Sequence, residues 1–167
     1  MTNPALLVIC TGNAARSVMA GSYIRSRRSD LDVVTAGTLT LDGQPISWRT
    51  REALSRVGLS APHHRSQQIE RHHVEAADLV IALAPEHVEW IRREHPDAAW
   101  RTATLKRLAR DLPASGTMWE RLRGLRLDLV SLEPWEEVVD PGGGEVEDFI
   151  SCAVEVVEVL DGLIERF

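Results

Sequence analysis

Residues Cys10 to Ser17, "CTGNAARS", bring a thiol, a glycine-containing turn, a guanidinium and a hydroxyl into one short stretch. The apolar run Leu6 to Ile9 leads into it, and the residues from Ala15 onward read as a helix. A strand that turns tightly into a helix leaves backbone N–H groups unpaired at the turn, with the positive end of the helix dipole behind them. Such a concavity suits an anion. Gly12 is free to take backbone angles closed to other residues, and Asn13 is among the few other types that tolerate the left-handed region. Thr11, Gly12, Asn13, Ala14 and Ala15 are therefore expected to form an amide cradle.

Cys10 stands at the rim of that cradle. A free thiol titrates near ~8.5, and helix N-termini or a nearby arginine lower this to roughly 3.5–7.5, so Cys10 is expected as a thiolate nucleophile. Ser17 is close enough to donate a hydrogen bond to the sulfur. Arg16 offers a planar fork that holds two oxygens of a tetrahedral oxyanion and stays charged at physiological pH. Transfer of a phosphoryl group to sulfur expels an alkoxide or phenoxide, so a carboxylic acid has to supply a proton and later recover one from water. Asp140, followed by Pro141 and three glycines, reads as a loop residue able to do this, although from chemistry alone a plain turn aspartate explains it equally well.

Elements that must position these groups are visible on either side. Leu6 to Ile9, Asp32 to Thr35 and Leu79 to Leu83 read as buried parallel strands, with a weaker one at Thr102 to Leu105. Helices are expected at Ala15 to Arg28, Ser47 to Val57 and Pro85 to Glu94, the last two opening on the start signals Ser47 and Pro85. The alternation predicts an α/β fold of three layers, a four-stranded parallel sheet flanked by helices, with its site at the carboxyl ends of the strands. Val146, Phe149, Ile150, Ala153, Val157, Leu160, Leu163 and Ile164 form one apolar face of a final helix. Cys152 beside that face is expected to be a small buried thiol. Between Ala109 and Val139, Trp119, Leu122, Leu125 and Leu129 suggest a further amphipathic segment.

The chain has 167 residues, 44% apolar and 26% charged, which suits a single globular domain spanning 1–167, with 109–139 as an extended connection. A formal net charge of -6 argues against nucleic acid as the main partner. No stretch has the length and apolarity of a membrane span, and Met1 to Pro4 carries no secretory pattern, so a cytoplasmic protein with no membrane partner is expected. Only two cysteines are present, which excludes a cysteine-pair zinc site. The adjacent pairs His63–His64 and His72–His73 lack metal-ligand spacing, and neither a metal nor a cofactor is expected.

"CTGNAARS" resembles the signature loop of the low-molecular-weight protein tyrosine phosphatases. The likeness extends to "TAGT" at Thr35 to Thr38, "HRS" at His64 to Ser66, "ADLVIAL" at Ala77 to Leu83 and "DPGGGEVEDF" at Asp140 to Phe149. It implies Cys10 as the nucleophile that becomes a phosphocysteine, Arg16 as the phosphate-binding arginine, Ser17 as the hydroxyl that stabilises the leaving thiolate and Asp140 as the general acid. It also implies that Asn13 is held by a network including Ser17, Thr35 and His64. The implied partners are a phosphotyrosine protein or a small aryl phosphate, with inorganic phosphate as product.

Three positions depart from the family pattern. Ala15 stands where many members have a second loop cysteine, Val18 where a proline is common, and Gly142 where many have a tyrosine lining the cleft. Loss of that tyrosine leaves the cleft without the expected aromatic wall. An arsenate reductase using an external small thiol is an alternative on the same cradle, and a non-catalytic phosphate or phosphopeptide binder is another.

Overall fold

The computed structural model describes residues 3–167. Four strands, β1 (Ala5–Cys10), β2 (Asp32–Gly37), β3 (Leu79–Ala82) and β4 (Thr102–Thr104), form one sheet in the order β2-β1-β3-β4. Every pairing is parallel, with Leu7 opposite Val34 on one side and Val80 on the other. Among the described residues seven α-helices accompany the sheet: α1 (Arg16–Arg27), α2 (Trp48–Arg56), α3 (Arg71–Ala76), α4 (Pro85–Glu94), α5 (Leu105–Asp111), α6 (Met118–Leu125) and α7 (Val146–Asp161).

Strand alternation splits the core into two layers. Leu6, Val8 and Cys10 of β1 join Leu79 and Ile81 of β3 beneath α1, α2, α5 and α7, whereas Leu7, Ile9, Val80 and Ala82 face α3 and α4. Apolar side chains on both faces of β1 and β3 explain why these strands read as continuous runs rather than alternating ones. The chain is thus a single α/β domain with helices on both faces of a parallel sheet, as its strand–helix alternation predicts.

Boundaries follow local chemistry. The Ser47 side chain accepts the Thr50 N–H at 3.2 Å and starts α2, and Pro85 occupies the first turn of α4, where a missing N–H costs nothing. β2 runs on to Gly37 instead of stopping at Thr35, because Ala36 and Gly37 still pair with Ile9 and Cys10. The helices α3 and α5 carry no sequence prediction; both are short and are fixed by packing rather than by periodicity.

The stretch 109–139 begins on the end of α5, contains α6 at Met118–Leu125, which Arg126 ends in the left-handed conformation, and adds one 3-10 turn at Pro134–Glu136. Leu122 is buried while Leu129 lies beyond the helix and is exposed. Trp119 meets Trp100 edge to face, 6.4 Å between centroids, at the amino end of β4. Trp135 stacks under Arg110 at 4.2 Å. Among the described residues no helix is long and apolar enough to cross a membrane.

Candidate active site

The loop after β1 is held from outside by its carbonyl groups. Thr38 N–H donates to the Cys10 carbonyl at 3.0 Å, and Leu39 N–H and the Thr40 hydroxyl donate to that of Thr11 at 3.0 and 3.1 Å. His64 Nε2 lies 2.7 Å from the Asn13 carbonyl, and the Thr50 hydroxyl donates to that of Ala14 at 3.0 Å. In a trans peptide the N–H points opposite to the C=O. Four carbonyls turned outward therefore turn the N–H groups of Thr11, Gly12, Ala14 and Ala15 toward the concave side. The helix that follows has Ala15 at its N-cap and no side-chain cap, so its own amides point into the same space.

Asn13 is the pivot of the loop. It has φ 51°, so the left-handed position predicted for this turn falls on the asparagine; Gly12 does not share it, and a Cβ on Gly12 would meet nothing within 4 Å. The Asn13 Oδ1 accepts Gln67 N–H at 3.0 Å, which leaves Nδ2 to donate to Ser17 Oγ at 2.9 Å. With its oxygen already accepting, the Ser17 hydroxyl has its proton free for Cys10 Sγ, 3.0 Å away. Asn13, Arg16 and Ser17 are all buried.

Thr35 does not join this network through its side chain. Its carbonyl accepts Gln67 Nε2 at 2.9 Å, so its support is one step removed, while its methyl group packs where a side chain on Gly21 would otherwise sit. The residue that bridges Thr35 to Asn13 is Gln67, which sequence reasoning missed although it follows "HRS" directly. His64 does reach the loop, whereas His63 is exposed. Because a carbonyl only accepts, His64 Nε2 carries the proton, and burial pushes the imidazole below its ordinary value. Gly37 is a second missed support: a Cβ there would strike the Thr11 carbonyl and the Thr40 hydroxyl and lie 3.0 Å from Asn13 N.

Arg16 is 2% exposed. Its Nη1 donates to the Val138 carbonyl at 2.9 Å and its Nη2 stands 3.4 Å from Asp140 Oδ2. The structure therefore brings Cys10, Arg16, Ser17 and Asp140 to one end of the sheet. Val138 N–H donates to the Leu83 carbonyl at 2.8 Å, which docks the segment before Asp140 on the chain leaving β3. Deeper support comes from Glu136, fully buried, which accepts Arg107 Nε and Nη2 and the Thr104 hydroxyl, each at 2.8 Å. Hydrogen bonds from Arg107, Glu133 N–H and Thr104 lower the Glu136 carboxyl despite the opposing effect of burial. No local pattern marks this pair, because its members are distant in sequence and either reads alone as a surface charge.

Gly142 N–H donates to Asp140 Oδ1 at 2.9 Å, a turn that presents the carboxylate to solvent. Position 142 has no ring, but Trp48, 54% exposed, opens α2 two residues before Thr50. Cys152 is buried, and desolvation pushes its thiol up to about 12. His87 lies beside the site on α4: it is buried, and burial together with the Arg16 charge lowers its pKa to about 3.

The sequence profile of the family described as "low molecular weight phosphotyrosine protein phosphatase" matches residues 5–118. The chain belongs to this family. Among its relatives is a protein-arginine-phosphatase of Geobacillus stearothermophilus, 28% identical over 162 residues that make up 96% of this chain and 94% of the relative. The solved structure of the YwlE arginine phosphatase from the same organism superposes with a TM-score of 0.78 at 26% identity, covering 98% of this chain and 92% of that one. A low molecular weight protein tyrosine phosphatase from T. tengcongensis superposes with a TM-score of 0.77 at 27% identity, covering 98% and 99%. Relatives named for arginine and for tyrosine phosphatase activity therefore share the whole fold, and the fold alone does not choose between them.

Proposed function

We propose that the chain is a protein phosphatase that transfers the phosphoryl group of a phosphotyrosine side chain, or of a small aryl phosphate, to Cys10 and then to water. The observation that carries this reading is the convergence on the sulfur: Ser17 Oγ at 3.0 Å, inward amides around it, and the buried Arg16 guanidinium. Arg16 and the amides would hold the three non-bridging oxygens, whose charge is the main thing a phosphoryl-transfer site has to stabilise. Cys10 sulfur forms a bond to phosphorus as the phenolic oxygen leaves, and Asp140 gives that oxygen its proton. The Asp140 carboxylate then takes a proton from water, the water oxygen attacks phosphorus, and inorganic phosphate leaves with the thiolate restored.

The tyrosine reading is supported by exposed apolar side chains on the segments that touch the loop: Leu39 after β2, Trp48 at the head of α2 and Val139 next to Asp140. A second reading, phosphoarginine, is favoured by the relative that matches 96% of this chain and by the missing ring at Gly142. A carboxylate at position 140 suits a guanidinium leaving group as well as a phenol. A cytoplasmic setting, without nucleic acid or membrane as partner, accompanies both readings; the acidic net charge supports the absence of nucleic acid.

The test compares kcat/KM on matched phosphotyrosyl and phosphoarginyl peptides in the presence of a chelator. Quenched mixtures are analysed by mass spectrometry for a phosphoryl group on Cys10. Preference for the tyrosyl peptide with labelled Cys10 is expected, and the opposite preference would select the arginine reading. Turnover undiminished in Cys10→Ser, or phosphate binding without hydrolysis of either peptide, would overturn the proposal.

A further inference from the structure

Thr11 is held from the other side of the sheet. Its carbonyl faces Leu39 and Thr40, but its hydroxyl points to α4, where His87 Nε2 lies 3.0 Å away. This contact spans the carboxyl ends of β1 and β3. In the order β2-β1-β3-β4, the chain leaves β1 into α1 on one face and leaves β3 into α4 on the other, so a crevice opens between them. The Thr11–His87 bond closes the floor of that crevice next to the amide cradle.

Geometry also fixes the imidazole's proton. Besides Thr11 Oγ1, Nε2 has Glu86 Oε1 at 3.5 Å, and a carboxylate oxygen accepts. His87 Nδ1 is buried without a partner. A proton on Nδ1 would be a buried donor with nowhere to go, whereas a bare Nδ1 lone pair costs less. A doubly protonated ring would leave that donor unsatisfied and add a cation near Arg16. Nε2 therefore carries the single proton and donates, and the Thr11 hydroxyl keeps its own proton for another acceptor. His87 is 1% exposed, and its Nε2 is taken up by Thr11.

We propose that His87 is a positioning residue of the phosphoryl site, an Nε2-protonated imidazole that pins Thr11 across the crevice and so holds the first amides of the cradle in place for an oxyanion. The inference rests on the reading of the loop as a phosphoryl site. It is tested by anion affinity, which does not require turnover. The dissociation constant for inorganic phosphate is measured by calorimetry on the full chain, and near-UV circular dichroism checks folding. Loss of one such hydrogen bond is expected to weaken phosphate about tenfold in His87→Leu and in Thr11→Val.

Two features separate positioning from general support of the fold. The double variant Thr11→Val/His87→Leu should be no weaker than either single one, since both remove the same bond. His87→Gln, whose Nε2 amide reaches the position of the imidazole Nε2, should restore affinity to within about twofold, and His87→Asn should not. Losses that multiply in the double variant, or unchanged phosphate affinity in Thr11→Val, would overturn the proposal. Should His87→Leu not fold, Thr11→Val and the Gln–Asn pair decide the matter alone. A chain with these couplings that hydrolyses neither peptide would sink the phosphatase reading and leave this one standing.

Discussion

The carboxylate of Asp140 stands 3.4 Å from the guanidinium of Arg16, and the two side chains are 55% and 2% exposed. This is an uneven pair. Arg16 is anchored by the Val138 carbonyl, so any separation has to come from Asp140. An ion pair with one exposed partner contributes little, on the order of 0–1 kcal/mol, and an incoming phosphoryl group displaces it cheaply. On the proposed mechanism the same loop would leave the carboxyl beside the oxygen that departs.

Asp140→Asn is accordingly expected to lower kcat on phenyl phosphate, a poor leaving group, by roughly 100- to 10,000-fold. With a strongly activated aryl phosphate, whose phenol leaves without a proton, the loss should shrink to a few-fold, again on the scale of general-acid effects. Steady-state kinetics on a series of substituted phenyl phosphates measures this. An equal loss across the series would remove Asp140 from the acid role.

Glu136→Gln tests whether the buried Arg107 pair sets the Asp140 loop. Removing one partner strands a buried charge and is expected to cost about 3–5 kcal/mol, read by urea unfolding. If the pair also positions the loop, folded Glu136→Gln enzyme should lose turnover selectively on poor leaving groups, in the pattern of Asp140→Asn. A uniform loss would assign the pair to stability alone.

Asn13 separates backbone from side-chain effects. Asn13→Gly keeps the left-handed conformation but removes the donor to the Ser17 oxygen and the acceptor of the Gln67 backbone N–H. Asn13→Ala has the same deficit plus the strain of a Cβ at φ 51°, and should be less stable by a further ~1–2 kcal/mol. Both should lose activity equally, because the Ser17 proton is no longer aimed at Cys10. Thermal melts and kcat on one aryl phosphate check the two halves independently.

Acid stability should report His87. Its pKa falls from 6.5 to about 3 on folding, so between these values the unfolded chain binds a proton that the native chain refuses. Stability then drops as pH falls from about 6.5, by up to about 1.4 kcal/mol per pH unit for one proton. His64 and His73 are lowered as well and act in the same direction. The lowered carboxyls of Asp111 and Glu136 contribute only below the ordinary carboxylate range. Urea unfolding between pH 6.5 and 5 should therefore be shallower in pH for His87→Gln than for the parent, and an identical slope would contradict burial of a neutral imidazole.

Local chemistry made the phosphate loop legible in the sequence. A strand, a turn and a helix start are short-range events, and Cys10, Asn13, Arg16 and Ser17 lie within two helical turns, so their spacing alone brings them together. The same is true of β1 to β3 and of Pro85 at the head of α4, where periodicity and a start signal act over neighbouring residues. Asp140 needed a family resemblance, because an Asp-Pro turn by itself says nothing about where the loop lands. Tertiary structure decided what holds the loop: Gln67 in place of the Thr35 side chain, Thr50 on Ala14, His87 on Thr11, and the Arg107–Glu136 pair below Asp140. These contacts join residues brought near only by the parallel order of the sheet. Hydrogen bonds over such separations leave no periodic trace in a single chain, which is why the chemistry could be read along the sequence and its scaffolding could not.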